Sequence, residues 1–154
     1  MEWLNGAPLK IRSLKGSVIL LRWWTNDCEL CKNSASALNE FYSMYKDSGL
    51  IIIGLYHPKP EPRWVSKNEV SAYVAEKSFL FPIAIDAEWK NLRKFWLDKG
   101  PKNFTSVSFL IDKKGFIQYI HPGGEYHKEV MVNHESCRED FHTIHSKIKE
   151  LLHQ

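Results

Sequence analysis

The chain has 154 residues, enough for one domain with a self-sufficient core, so its three cysteines are no disulfide scaffold. Lysine and arginine total 21 against 18 acidic residues, a formal charge of +3 with interleaved signs, which leaves no electrostatic footprint for nucleic acid. No apolar run approaches the eighteen or so residues of a membrane span, and no basic-then-apolar leader precedes Trp3, so the visible chain shows neither direct membrane insertion nor an export signal.

Leu4-Asn5-Gly6-Ala7-Pro8 reads as a turn, followed by an extended segment over Leu9 to Leu14 and a Lys15-Gly16 break. Ser17 to Trp24 is an apolar strand. Beyond Cys28, Leu30, Ser34, Leu38, Phe41 and Tyr45 fall on one helical stripe that Gly49 ends. Leu50 to Tyr56 is continuously apolar, the pattern of a strand buried on both faces, and completes a βαβ unit with a parallel pair. The proline-rich stretch His57 to Pro62 forms a stiff loop. A helix over Asn68 to Lys77, a strand over Pro82 to Asp86 and a helix over Trp89 to Leu97 follow. Lys90, Arg93, Lys94, Lys99 and Lys102 read as a solvated basic face. A strand over Ser106 to Asp112, a turn at Lys113-Lys114-Gly115 and a strand over Phe116 to Ile120 make a hairpin. A last helix starts at Ser136, where Ser136 and Glu139 have capping-box spacing. With Cys28-x-x-Cys31 following the second strand, the expected fold is α/β, a single thioredoxin-like domain over 1–154 with an N-terminal extension and helices on both faces of a mixed sheet.

Cys28-Glu29-Leu30-Cys31 is the most informative motif, because it joins a strand to a helix. That junction puts the first cysteine at a helix N-terminus, where free N–H groups and the macrodipole favour a thiolate, and the second one turn deeper within disulfide reach. A four-cysteine zinc cage is excluded, since Cys137 is the only other cysteine.

The chain resembles the TlpA/ResA-like thiol-disulfide oxidoreductases of the thioredoxin superfamily, in particular a subgroup opening with Trp-Leu-Asn. The resemblance runs through Trp3-Leu4-Asn5-Gly6, Leu14 to Leu20, Trp24, Cys28 to Cys31, Tyr45 to Leu50, Phe109 to Gly115 and Gly123-Gly124-Glu125-Tyr126. It implies a Cys28 nucleophile and a Cys31 resolver, with Trp24, Asp27, Glu29, Lys32 and Ser106 in support and no cofactor. It also implies a disulfide-containing protein substrate, an upstream dithiol electron donor, action as a monomer and an extracytoplasmic setting. Three positions depart from the family: Asp27 replaces a tryptophan, Ser36 a helix proline, and Ser106 the cis-proline that faces the cysteines. Thioredoxins proper also bury an aspartate where this chain has Arg22. The Thr105-Ser106 peptide is expected to be trans, because a non-proline cis bond costs about 3 kcal/mol.

Asp27 and Glu29 oppose ionisation of Cys28, while the helix terminus, Lys32 and Arg22 favour it. Weak thiolate stabilisation destabilises the reduced pair, so the expected direction is protein-disulfide reduction, with Cys28 the more exposed and more acidic sulfur. Three alternatives stand beside this reading. His134, Cys137, His142 and His145 share one face of the last helix, with His121 and His127 upstream, and form a candidate metal-carrier set. Thr25, three residues before Cys28, suits a peroxiredoxin-like peroxidase, although Leu21 stands where that chemistry expects proline. A redox-inert binding domain is the third. Cys137 is expected to take no part in turnover.

Overall fold

The computed structural model describes residues 1–154. Its six strands, beginning with β1 (Trp3–Leu4), lie in the order β1-β4-β3-β2-β5-β6. β2 (Val18–Trp24) and β3 (Leu50–Tyr56) are the central parallel pair, and β4 (Ile83–Ile85) runs parallel to β3. β5 (Ser108–Ile111) is antiparallel to β2, and β6 (Ile117–His121) is antiparallel to β5. The sheet is therefore mixed, with a hairpin at one edge.

Side chains of β2 alternate between two cores, as the two-residue period of a strand requires. Val18, Leu20 and Trp24 join a large core with α1 (Glu29–Tyr45), α2 (Lys67–Glu76) and α4 (Glu135–His153). Ile19, Leu21 and Trp23 join a second core with Leu92 of α3 (Lys90–Phe95) and with Phe109. Helices cover both faces. Gly54 of β3 lies so close to its neighbours that a Cβ there would stand 2.7 Å from Ile83 Cδ1 and 3.0 Å from Trp24 Nε1.

Two boundaries differ from the sequence reading. The outer strand is Trp3–Leu4, antiparallel to β4, while Leu9 to Leu14 is a loop with a 3-10 turn at Ile11–Ser13. Leu9, Ile11 and Leu14 pack on the second core, so their apolar spacing reports contact rather than pairing. α4 begins at Glu135 with His134 as its N-cap and no side-chain cap, so Ser136 lies inside the helix and the capping box does not form. The His134 ring instead turns to Glu125, with Nδ1 2.6 Å from Oε1.

Candidate dithiol active site

Cys28 is the N-cap of α1, in an extended conformation (φ −129°, ψ 106°), and its sulfur accepts the Cys31 N–H at 3.2 Å. This bond satisfies one of the free donors that every helix start presents. Both thiols are free. Cys28 is half-buried and Cys31 is 3% exposed. Asp27, before the pair, has φ 42°, a left-handed conformation that a non-glycine residue adopts at some cost in the tight corner between β2 and α1. A polar cleft of about 210 Å³ opens at Cys28, lined by Asp27, Glu29, Lys32 and, from the end of α2, Glu76 and Lys77.

Ser106 lies against the sulfurs from the loop before β5. Its Oγ is 2.8 Å from Cys31 Sγ and 4.0 Å from Cys28 Sγ, so the hydroxyl chiefly serves the buried sulfur rather than Cys28. The Thr105-Ser106 peptide is trans, as the missing proline predicts. Thr105 is held from below, where its Oγ1 lies 2.8 Å from Nε2 of the fully buried His57. Burial, then Lys59, pulls the His57 imidazole down to about 3, so it is neutral.

Arg22 is completely buried on the α1 face of β2, between Leu20 and Trp24 in the alternation. Its Nη1 donates to the Ser106 carbonyl (2.9 Å) and its Nη2 to the Gly124 carbonyl (3.0 Å), and the guanidinium stacks over Tyr126. No carboxylate pairs with it, although a buried cation needs an anion nearby. The Cys31 sulfur is the anion at hand. The neighbouring Cys28 thiol, then the Arg22 charge, the Ser106 hydroxyl and the Thr25 backbone draw Cys31 down, against the penalty of burial. The same shared proton, with burial, pushes Cys28 up.

The pair shares one proton: Arg22 and Ser106 favour the charge at Cys31, while the helix start, through the Cys31 N–H, favours it at Cys28. Exposure weakens the flanking charges. Asp27, Glu29 and Lys32 are all exposed, where water screens their influence, whereas Arg22 acts through the protein interior. Trp24 supports the site from within the core, its ring against Tyr56 and Phe79.

The last-helix candidates divide. His134 and Cys137 come together with Glu125 and His127, the donor atoms of all four lying within 4.8 Å of one another. His142 is exposed, and His145 is 2.7 Å from the Tyr45 hydroxyl. A search along one helix misses this grouping because half of it lies on the β6–α4 connection. The visible signal is a pair of short spacings, Glu125-x-His127 and His134-x-x-Cys137.

A six-stranded mixed sheet with a C-x-x-C dithiol at the β2–α1 junction defines a thioredoxin-fold protein of the TlpA/ResA-like type. The chain belongs to the AhpC/TSA family, whose model matches residues 2–120. Among curated relatives, it is 33% identical over 132 residues to protein DipZ of Mycobacterium bovis, covering 80% of this chain and 18% of that protein. It is 33% identical over 112 residues to the thiol-disulfide oxidoreductase ResA of Bacillus anthracis, covering 73% of this chain and 58% of ResA. The chain therefore spans less than two thirds of either relative. A thiol-disulfide isomerase from Corynebacterium glutamicum superposes with a TM-score of 0.73 at 20% identity, covering 100% of this chain and 92% of that one. The thioredoxin-like superfamily protein SPOA0173 does so at 0.74 and 19%, covering 99% and 92%. At these identities the two structures establish the shared fold. No helix is long and apolar enough to cross a membrane.

Proposed function

We propose that the chain is a thiol-disulfide oxidoreductase in which Cys28 exchanges with a protein disulfide and Cys31 resolves the product. One observation carries this reading: Cys28 opens on a polar cleft while Cys31 lies buried behind it, bonded to Ser106. In the reductive direction, the Cys31 thiolate takes the Cys28 proton as the Cys28 sulfur attacks a substrate disulfide. An S–S bond forms to Cys28 and the first substrate thiolate leaves. The first departing thiolate takes the proton from Cys31, whose sulfur attacks Cys28 and forms the intramolecular disulfide, and the second substrate thiolate leaves. Two electrons pass to the substrate, and an upstream dithiol donor restores the pair. By microscopic reversibility the same atoms serve oxidation. Arg22 and Ser106 stabilise the reduced pair, which makes it less reducing than the exposed acidic neighbours alone suggest.

In this reading the substrate is a disulfide-bearing protein, the chain acts as a monomer formed of one domain, and the setting is extracytoplasmic, the last by resemblance to the family. The test is insulin-disulfide turnover alongside peroxide consumption. Cys28→Ser is expected to abolish the first, Cys31→Ser to accumulate a mixed disulfide on Cys28, and peroxide consumption to be negligible. A mixed disulfide on Cys31 in the Cys28→Ser protein, with turnover retained, would reverse the roles.

A further inference from the structure

The second cluster lies apart from the dithiol and is built like a coordination shell. Glu125 and His127 come from the β6–α4 connection, His134 from the N-cap of α4 and Cys137 from its first turn. His127 Nε2 is 3.2 Å from His134 Nδ1, Cys137 Sγ is 3.8 Å from that same nitrogen, and Cys137 Sγ is 3.5 Å from Glu125 Oε1. Ligands bound tetrahedrally at about 2.0–2.3 Å from zinc are separated from one another by about 3.3–3.8 Å. These three separations match that geometry. A fourth, 2.6 Å between His134 Nδ1 and Glu125 Oε1, is a hydrogen-bond distance that an ion between them would lengthen, and the remaining two of the six, from His127 to Glu125 and to Cys137, lie within 4.8 Å.

The outer contacts prepare the same four atoms. His127 Nδ1 lies 3.0 Å from the Glu129 carbonyl, a contact that puts the proton on Nδ1 and leaves the Nε2 lone pair facing the cluster. Asn33 Nδ2 donates to Glu125 Oε2 at 2.6 Å and leaves Oε1 for the cluster. Glu125 and His127 are 7% and 1% exposed, so their lone pairs are out of reach of bulk water, while His134 and Cys137 are half-buried.

We propose that Glu125, His127, His134 and Cys137 bind a zinc ion. One thiolate, two imidazoles and one carboxylate are a borderline donor set that suits zinc, and four protein ligands make a closed, structural site. Binding displaces the Cys137 proton. The ion ties the β6–α4 connection to the start of α4. Through Asn33 it also ties that connection to α1, two residues beyond Cys31.

The test uses the full chain purified without an affinity tag and carrying Cys28→Ser and Cys31→Ser, so that the redox pair contributes no metal affinity. After equilibration with zinc and desalting, elemental analysis is expected to give about one zinc per chain. Adding Cys137→Ser or His134→Ala is expected to bring it near zero, and Asn33→Ala to weaken affinity about 10–100-fold. Cobalt in place of zinc should give a thiolate-to-metal absorption band that Cys137→Ser abolishes. Far-UV circular dichroism establishes that the variants are folded, and His134, on a half-buried helix cap, tolerates truncation. Absence of zinc from the folded parent, or full zinc content in folded Cys137→Ser and His134→Ala proteins, would overturn the proposal. Neither result bears on thiol exchange, which the parent lacks by design.

Discussion

Arg22→Met removes the only buried lysine or arginine and leaves the strand an apolar side chain of similar length. Ser106 bridges the two groups concerned, its carbonyl accepting from Arg22 while its hydroxyl meets Cys31. A charge separation on the order of 6 Å at an effective dielectric of ~20 gives ~3 kcal/mol, or about two pKa units. Cys31 should therefore rise by about two pKa units. Because the lost interaction stabilises the reduced form, the midpoint potential at pH 7 should fall by ~50 mV, making the variant the stronger reductant. Thiolate absorbance followed against pH gives the first quantity, and equilibration with a glutathione buffer gives the second. Arg22→Lys keeps the charge while losing the planar fork, and should hold Cys31 well below its value in Arg22→Met. A folded Arg22→Met protein whose Cys31 titrates as in the parent would refute the electrostatic argument.

Three further outcomes are expected. Ser106→Ala removes a hydrogen bond to a charged sulfur, and a loss of about 1.5–3 kcal/mol raises Cys31 by about one to two pKa units in the same titration. His57 is neutral in the fold down to about 3 but takes a proton near its ordinary 6.5 once unfolded. The unfolded chain therefore binds more protons between those values, and stability should fall by up to ~5 kcal/mol as pH drops through that window. Urea unfolding of a His57→Gln variant should show a flatter acid limb, and an equally steep one would mean that other groups carry the loss. Gly54→Ala pushes a methyl group into Ile83 and Trp24 and should cost about 1–3 kcal/mol in chemical denaturation, with the Cys31 titration unchanged.

The sequence makes the central fold legible because β2 and β3 are short apolar runs that follow Gly16 and Gly49, and α1 between them carries a helical stripe. Trp3–Leu4 escapes because two residues have no periodicity, and it becomes a strand only by pairing with β4. Leu9, Ile11 and Leu14 imitate a strand because packing against a sheet demands apolar residues whether or not the backbone pairs. At the site, the C-x-x-C motif and the position of Ser106 follow from local order along the chain. The resting charge does not. It depends on which face of β2 carries Arg22 and on which sulfur the Ser106 hydroxyl meets, both set by tertiary packing. The Glu125 cluster is harder still to read, since its members meet only after the connection folds back onto α4.

Arg22 also bears on how faithfully the sheet assembles. In the native register β2 places this guanidinium between Leu20 and Trp24, where the Ser106 and Gly124 carbonyls receive it. A slip of β2 by one residue would turn it to the opposite face, among Ile53, Leu92, Phe109 and Trp96, an apolar set in which the Trp96 indole N–H already has its acceptor. A bare cation there would cost several kcal/mol. Purely apolar neighbours such as Leu20 and Leu21 tolerate either side, so they discriminate weakly between the two alignments. The lone arginine in an otherwise apolar strand thus acts as an alignment key, penalising the off-by-one pairing before any chemistry begins.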